Sequence, residues 1–253
     1  MRRISASFLA SLFLIVTMNG AIAAEKLVIE KLDAGSYPAE IVVDPRKASE
    51  NGLPDGKIST ARGGDIVAAW YSEPTTRYKH GILGDRVEAG SLRIKTRLGH
   101  TLTYRLPRTE VFEDITPRLV DLDRNGTMEV ITIRSSLIKG AAITIYGLNG
   151  EALVQKATTP HIGLSHRWLN IAGISNFSRS KTLEIAAVIT PHIGGTLRFY
   201  KYSRGKLLRR AAASGFSNHV IGSREQRLSA ILDFDGNRTP DLALPSADRR
   251  SLV

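Results

Sequence analysis

The sequence predicts an all-β fold: a β-propeller-type array of four-stranded blades, incomplete at its C-terminus. Three observations predict it. Short alternating runs of β-branched and aromatic residues recur along the 253-residue chain, separated by Gly- and Asn-containing turns. An acidic loop motif returns with its ninth position at residues 65, 129, 184 and 241, at intervals of 64, 55 and 57 residues. Such a period marks repeat units that bury their cores against one another. No amphipathic helix with clear caps appears in residues 24–253.

The chain opens on a leader. Arg2 and Arg3 precede an apolar run over residues 8–16, interrupted only by Ala10 and Ser11, and Ala21-Ile-Ala23 offers small residues for cleavage. Residues 1–23 therefore read as a secretory signal peptide, and the protein as periplasmic or secreted. The run is short for a bilayer span, which needs about 20 residues, and no later segment is long and apolar enough to cross a membrane.

Residues 24–253 form one repeat domain, with repeats at about 26–110, 111–165, 166–222 and a partial 223–253. Residues 26–32 alternate weakly and suit a strand. Residues 44–64, rich in Lys, Asp, Gly and Ser, read as a long loop. Residues 66–71 are the first clear strand, and 75–90 read as another loop. Hairpins follow at 91–95/101–106, 142–146/152–155 and 196–200/206–208, the second turning on Asn149-Gly150. Short inner strands at 118–120, 172–174 and 230–232 precede the recurring loops, and strands at 130–134, 185–189 and 242–244 follow them. Each unit thus has four strands, the plan of a propeller blade. Counted from Asp241, the last hairpin should begin near Ser251, so the final blade is expected to lack nearly all of it.

The clearest loop is Asp121-Leu-Asp-Arg-Asn-Gly-Thr-Met-Glu129. Oxygen-bearing side chains fall at positions one, three, five and nine. Ca²⁺ takes six to eight oxygens from carboxylates, amides and backbone carbonyls. Asp121, Asp123, Asn125 and Glu129 would ligate by side chain and Thr127 by its carbonyl. The pattern returns with Asp233, Asp235, Asn237, Thr239 and Asp241. A worn copy runs from Asn176 to Glu184 with Ser178 and Ser180 between. Each strong loop packs three carboxylates into nine residues, which repel one another without a cation, whereas the middle loop has one. Calcium is expected in the two strong loops only. An EF-hand is excluded, because its twelfth-position Glu is here Thr132 or Leu244.

This repeated Asp-x-Asp-x-Asn-Gly-x-x-Glu-Val phrase between strands resembles the FG-GAP/VCBS repeat family, from about residue 60 onward. The resemblance implies integrin-type propeller blades whose loops hold Ca²⁺ at the positions named above. Two departures stand out. Glycine occupies Gly126 in one loop but Gly236 in the other, one before the Asn, and the middle loop has Asn176, Ser178 and Ser180 where the family prefers acids.

The formal charge is +11, or +9 without Arg2 and Arg3. A basic exported chain adheres to anionic partners, so an envelope protein or an anionic polymer is the expected partner and nucleic acid is not. There are no cysteines, hence no disulfides. Repeated Thr-Pro-His-Ile-Gly phrases carry His161 and His192. With His219 they form a possible ligand face. No nucleophile, zincin, P-loop or dinucleotide motif appears, so no catalytic residue is assigned, and Glu110, Glu113 and Asp114 read as solvated charges. The expected function is a calcium-binding propeller-type binding module of the bacterial envelope. The alternatives are a propeller-type enzyme acting on a polysaccharide or phosphoester, and a structural scaffold.

Overall fold

The computed structural model describes residues 46–253. The expected leader and the expected strand over 26–32 lie outside the described residues. Every described strand pairing is antiparallel, and no helix of the described residues is long and apolar enough to cross a membrane.

The strands fall into successive four-stranded meanders. After a short β1 (Lys47–Ala48), the first meander is β2 (Lys57–Thr60), β3 (Ile66–Thr75), β4 (Glu88–Thr96) and β5 (Thr101–Arg105). A connector, β6 (Glu110–Phe112), precedes the second: β7 (Arg118–Val120), β8 (Glu129–Ser136), β9 (Gly140–Asn149) and β10 (Ala152–Thr158). The third is β11 (Leu169–Ser175), β12 (Glu184–Ile189), β13 (Thr196–Ser203) and β14 (Lys206–Ser214). A two-stranded pair ends the series, β15 (Ala230–Leu232) with β16 (Asp241–Ala243). Strand β6 pairs with both β4 and β8, which fuses the first two meanders into one ten-stranded sheet. All three sheets are open among the described residues; none closes into a barrel or a ring.

The side-chain period of two explains how these sheets bury themselves. In β8 and β12 every residue is buried. On β8, Ile131 and Ile133 pack toward the third meander, with Ile143 and Ile145 of β9 and with Ile185, Ala187 and Ile189 of β12. Val130 and Tyr146 point the other way, onto Tyr71, Leu92, Ile94 and Phe112. On β12 the alternate residues Ala186 and Val188 meet Leu197, Leu242 and Leu244. Odd and even positions of one strand thus serve two different cores, and each sheet packs on the next in chain order.

The structure corrects the sequence reading in three places. Residues 44–64 are not wholly a loop, because β1 and β2 lie there. Glu113 and Asp114 are not solvated: they are 1% and 2% exposed. They follow β6, whose Phe112 stacks on Tyr71 with ring centroids 5.2 Å apart and draws the adjacent acids inward. Third, the chain beyond β16 does not wait until residue 251 to turn. It doubles back at once, with Leu244 and Val253 exchanging two backbone hydrogen bonds of 2.8 Å.

Gly195, at the start of β13, holds the end of the third meander. Its carbonyl accepts from the N–H groups of Gly215 (2.9 Å) and Phe216 (3.2 Å). A Cβ there would sit 1.5 Å from the Phe216 carbonyl oxygen, which is backbone and cannot swing away. Gly195→Ala is expected to cost about 3 kcal/mol. Gly63→Ala, where an added Cβ meets nothing within 4 Å, should change the denaturation midpoint little. Chemical denaturation of the two variants checks the difference.

Candidate functional site

The two strong loops join the first and second strands of their units, β7 to β8 and β15 to β16. In each, three carboxylates converge: one oxygen each from Asp121, Asp123 and Glu129, and from Asp233, Asp235 and Asp241, all within 4.8 Å of one another. Two oxygens sharing a Ca²⁺ at about 2.4 Å can be at most about 4.8 Å apart, so each trio meets the spacing that sharing one ion requires. The ninth residue is anchored identically in both. Leu122 N donates to Glu129 Oε2 and Phe234 N to Asp241 Oδ2, each at 2.9 Å.

Backbone conformation resolves the displaced glycine. Positions four and six carry positive φ in both loops: Arg124 at 59° and Gly126 at 89°, Gly236 at 75° and Arg238 at 65°. Two left-handed residues are needed, and glycine relieves one of them in either order. The same turn brings backbone donors onto the acids. Asn125 N and Gly126 N donate to Asp121, at 3.0 and 2.8 Å, and Arg238 N donates to Asp233 at 2.7 Å.

Convergence of like charges has a price in protonation. Burial pushes the Glu129 carboxyl up to about 7, and the nearby Asp123, Asp121 and Asp65 push the same way. Asp123 Oδ1 and Asp233 Oδ1 are buried without a hydrogen-bond partner. The expected amide ligands behave differently from the acids. Asn125 Oδ1 accepts from Thr127 N at 2.7 Å, and Asn237 Oδ1 from Thr239 N at 2.8 Å, so both oxygens brace their own turns. Asp65, the first unit's ninth-position residue, accepts from Met128 N at 2.7 Å and so buttresses the second unit's loop.

The middle loop has Asn176 and Ser178 where the others gather acids, and it reaches its neighbour through a cation. Its Arg179 donates to Thr239 Oγ1 and to the Asn237 carbonyl of the neighbouring loop, the latter at 2.7 Å. Its Asn176 Nδ2 is used locally, donating to the Ser180 carbonyl at 2.7 Å.

Of the three histidines expected together, two meet. His192 Nε2 and His219 Nδ1 are 3.0 Å apart, and His219 Nε2 lies 2.9 Å from the Ser223 carbonyl. The carbonyl requires a proton on His219 Nε2, so His219 Nδ1 accepts from His192. Both rings are held neutral by burial, His192 down at about 4. His161 stands apart, with Arg134, Glu110 and Lys139 as its charged neighbours. In its place come His80 and His166, ring centroids 5.0 Å apart, which line a cavity of about 270 Å³ with Trp168 and His192. His80 Nδ1 pairs with the buried Glu113, whose other oxygen accepts from Ser135.

A larger cleft, of about 710 Å³, lies where the first strands of the units converge. Lys57 of β2, Arg118 of β7, Gly173 of β11 and Ile231 of β15 all line it. No single motif announces it, because its lining is drawn from all four units.

No family model matches this chain, and no curated protein matches it. Among solved structures it is similar to an exotype rhamnogalacturonan lyase, with a TM-score of 0.48 and 16% identity over 81% of this chain and 42% of that one. The chain spans less than half the length of that structure.

Glu88 gives a pH prediction. Burial first, then the Glu113 charge, raise its carboxyl to about 7, and its Oε2 is buried without a partner. A carboxyl raised on folding stabilises below its unfolded value near 4.5, and that contribution is lost as pH rises through 7. Glu88→Gln, which keeps the oxygen that accepts from His80 N, should therefore be more stable than the parent at pH 8 by about 1 kcal/mol. The difference should vanish by pH 4.5. Urea midpoints across that range, in chelator, check it.

Proposed function

We propose that this chain is an exported, calcium-binding repeat protein of the β-propeller type that acts as a binding module of the bacterial envelope. One observation carries the calcium reading. Each strong loop draws three carboxylates together and leaves one of their oxygens buried and unpartnered, an arrangement that a divalent cation would relieve. The likeness of the loops to FG-GAP/VCBS repeats points the same way. Meanders stacked in chain order, with their first strands converging on one cleft, are what propeller blades require. The cleft is basic and holds no histidine in its lining, which favours binding over catalysis.

A second reading, an enzyme acting on a polysaccharide or phosphoester, draws on the His80–Glu113 pair. There a buried carboxylate orients an imidazole beside a cavity, the geometry of a general base and its positioning partner. His80→Ala separates the readings. It would abolish turnover of a substrate and leave calcium binding intact.

Calcium should bind with a stoichiometry of two, the middle loop staying empty for want of carboxylates. A ligand that binds only the folded state stabilises it by about 2.7 kcal/mol at a hundredfold excess over its dissociation constant. Calorimetric titration and thermal melts with and without chelator test this. Asp121→Ala or Asp233→Ala should each leave one site. Melting that ignores chelator would defeat the calcium reading, and a third calcium at Asn176 would defeat the assignment of the middle loop.

A further inference from the structure

We infer that the cleft where β2, β7, β11 and β15 meet binds a polyanionic oligomer, through carboxylate or phosphate groups docked on Lys57, Arg118, Arg224 and Arg227. The inference deepens the binding-module reading and rests on it.

Charge is the first ground. The lining holds five cationic side chains, the four just named and Arg46, against two lining carboxylates, Asp55 and Glu225; counting Asp85 and Asp114, which pair with lining arginines, the cations still outnumber the acids by five to four. Cations gathered in a cleft with low-dielectric walls raise the local potential and attract counter-ions.

The second ground is that the guanidinium groups are held in place. Arg224 Nε and Nη2 donate to Asp55 and Asp85, each at 2.8 Å, and its Nη1 packs against Gly84. Arg118 is tied through Nη1 to Asp114, itself held by Tyr71 OH at 2.8 Å and Gln226 Nε2 at 3.1 Å. A guanidinium offers five N–H donors in a fixed fork, so one pinned through part of that fork still presents the rest, at little further entropy cost. Lys57 adds a cation with no carboxylate within ion-pair distance among the described residues.

The third ground is the floor. Ile115, Ile171, Ile174 and Ile231 give it an apolar strip, and at Gly173 a Cβ would come within 2.4 Å of Ile231 Cδ1, so glycine lets β15 approach β11. Cations spread along an apolar strip suit a chain of linked units with repeated oxyanions, which a single free inorganic ion lacks. At about 710 Å³ the cleft has room for more than one such unit.

The test uses the full chain loaded with calcium. Calorimetry measures binding of oligogalacturonate, of inorganic polyphosphate and of neutral dextran oligosaccharides. At least one anionic oligomer should bind and dextran should not. The anion that binds identifies the oxyanion. Lys57→Glu and Arg227→Glu should each weaken binding about tenfold or more, the equivalent of about 1.4 kcal/mol. Arg209→Glu, the same charge change on exposed β14, should leave it within about twofold. Thermal melts of each variant confirm folding. Binding of neither anion, equal binding of dextran, or an equal loss in Arg209→Glu would overturn the inference. Calcium stabilisation is read on the same samples, so a protein that binds calcium but no anion sinks the cleft alone.

Discussion

The constraint on which the rest depends is that the inner sheets bury both faces. A strand such as β8 or β12 has no solvent side, so every residue on it must find a partner in one of two cores. Apolar residues do so by alternation. Polar residues do so by hydrogen bonding, as Thr132 does when its hydroxyl donates to the Thr144 carbonyl at 3.1 Å. Backbone groups at the strand ends cannot be left bare either, and this is what tightens the loops between first and second strands. The ninth-position carboxylate caps the N–H of position two because that N–H would otherwise be buried unpaired.

Backbone N–H groups also engage the ninth-position acid of the first unit. Asp65 has no acidic loop before it, yet it accepts from Ile66 N and reaches Met128 N in the next unit. In three of the four copies, then, the position-nine acid holds backbone N–H groups. Where positions one and three are acidic as well, the same architecture crowds three carboxylates and becomes suited to a cation. The step from cap to candidate metal site needs only two further aspartates.

Between the meanders lies a network that ties separate units together. Asp114 is shared by Tyr71 from the first meander, Arg118 from the second and Gln226 from the segment before β15. That segment also reaches the first unit, with Gly222 N donating to the Ile82 carbonyl at 2.9 Å and Arg224 gripping Asp55 and Asp85. Charged groups so placed are costly to desolvate and are retained only when their partners are complete. Here they set which units lie against one another, and they order the guanidinium groups of the cleft.

Much of this was legible in the chain itself. Period-two runs named the strands, Asn149-Gly150 named a hairpin, and the spacing of Asp121, Asp123 and Glu129 alone put three acids on one tight turn. These are local properties, set by backbone geometry within about ten residues. What the sequence could not reveal depends on distant residues. Glu113 and Asp114 read as solvated because carboxylates ordinarily stay in water, and only the packing of Phe112 against Tyr71 and Tyr146 carries them inside. His80 and His166, 86 positions apart, come together while His161 does not, because ring proximity follows from how sheets stack and not from a repeated phrase. The basic cleft is the extreme case: its residues come from four first strands and the segments beside them, and their meeting is a consequence of the convergence of those strands. Local sequence determined the strands, the turns and the acidic loops. Tertiary packing alone decided which charges are buried, which histidines meet and where a cleft opens, because those outcomes depend on surfaces that exist only once the sheets have been stacked.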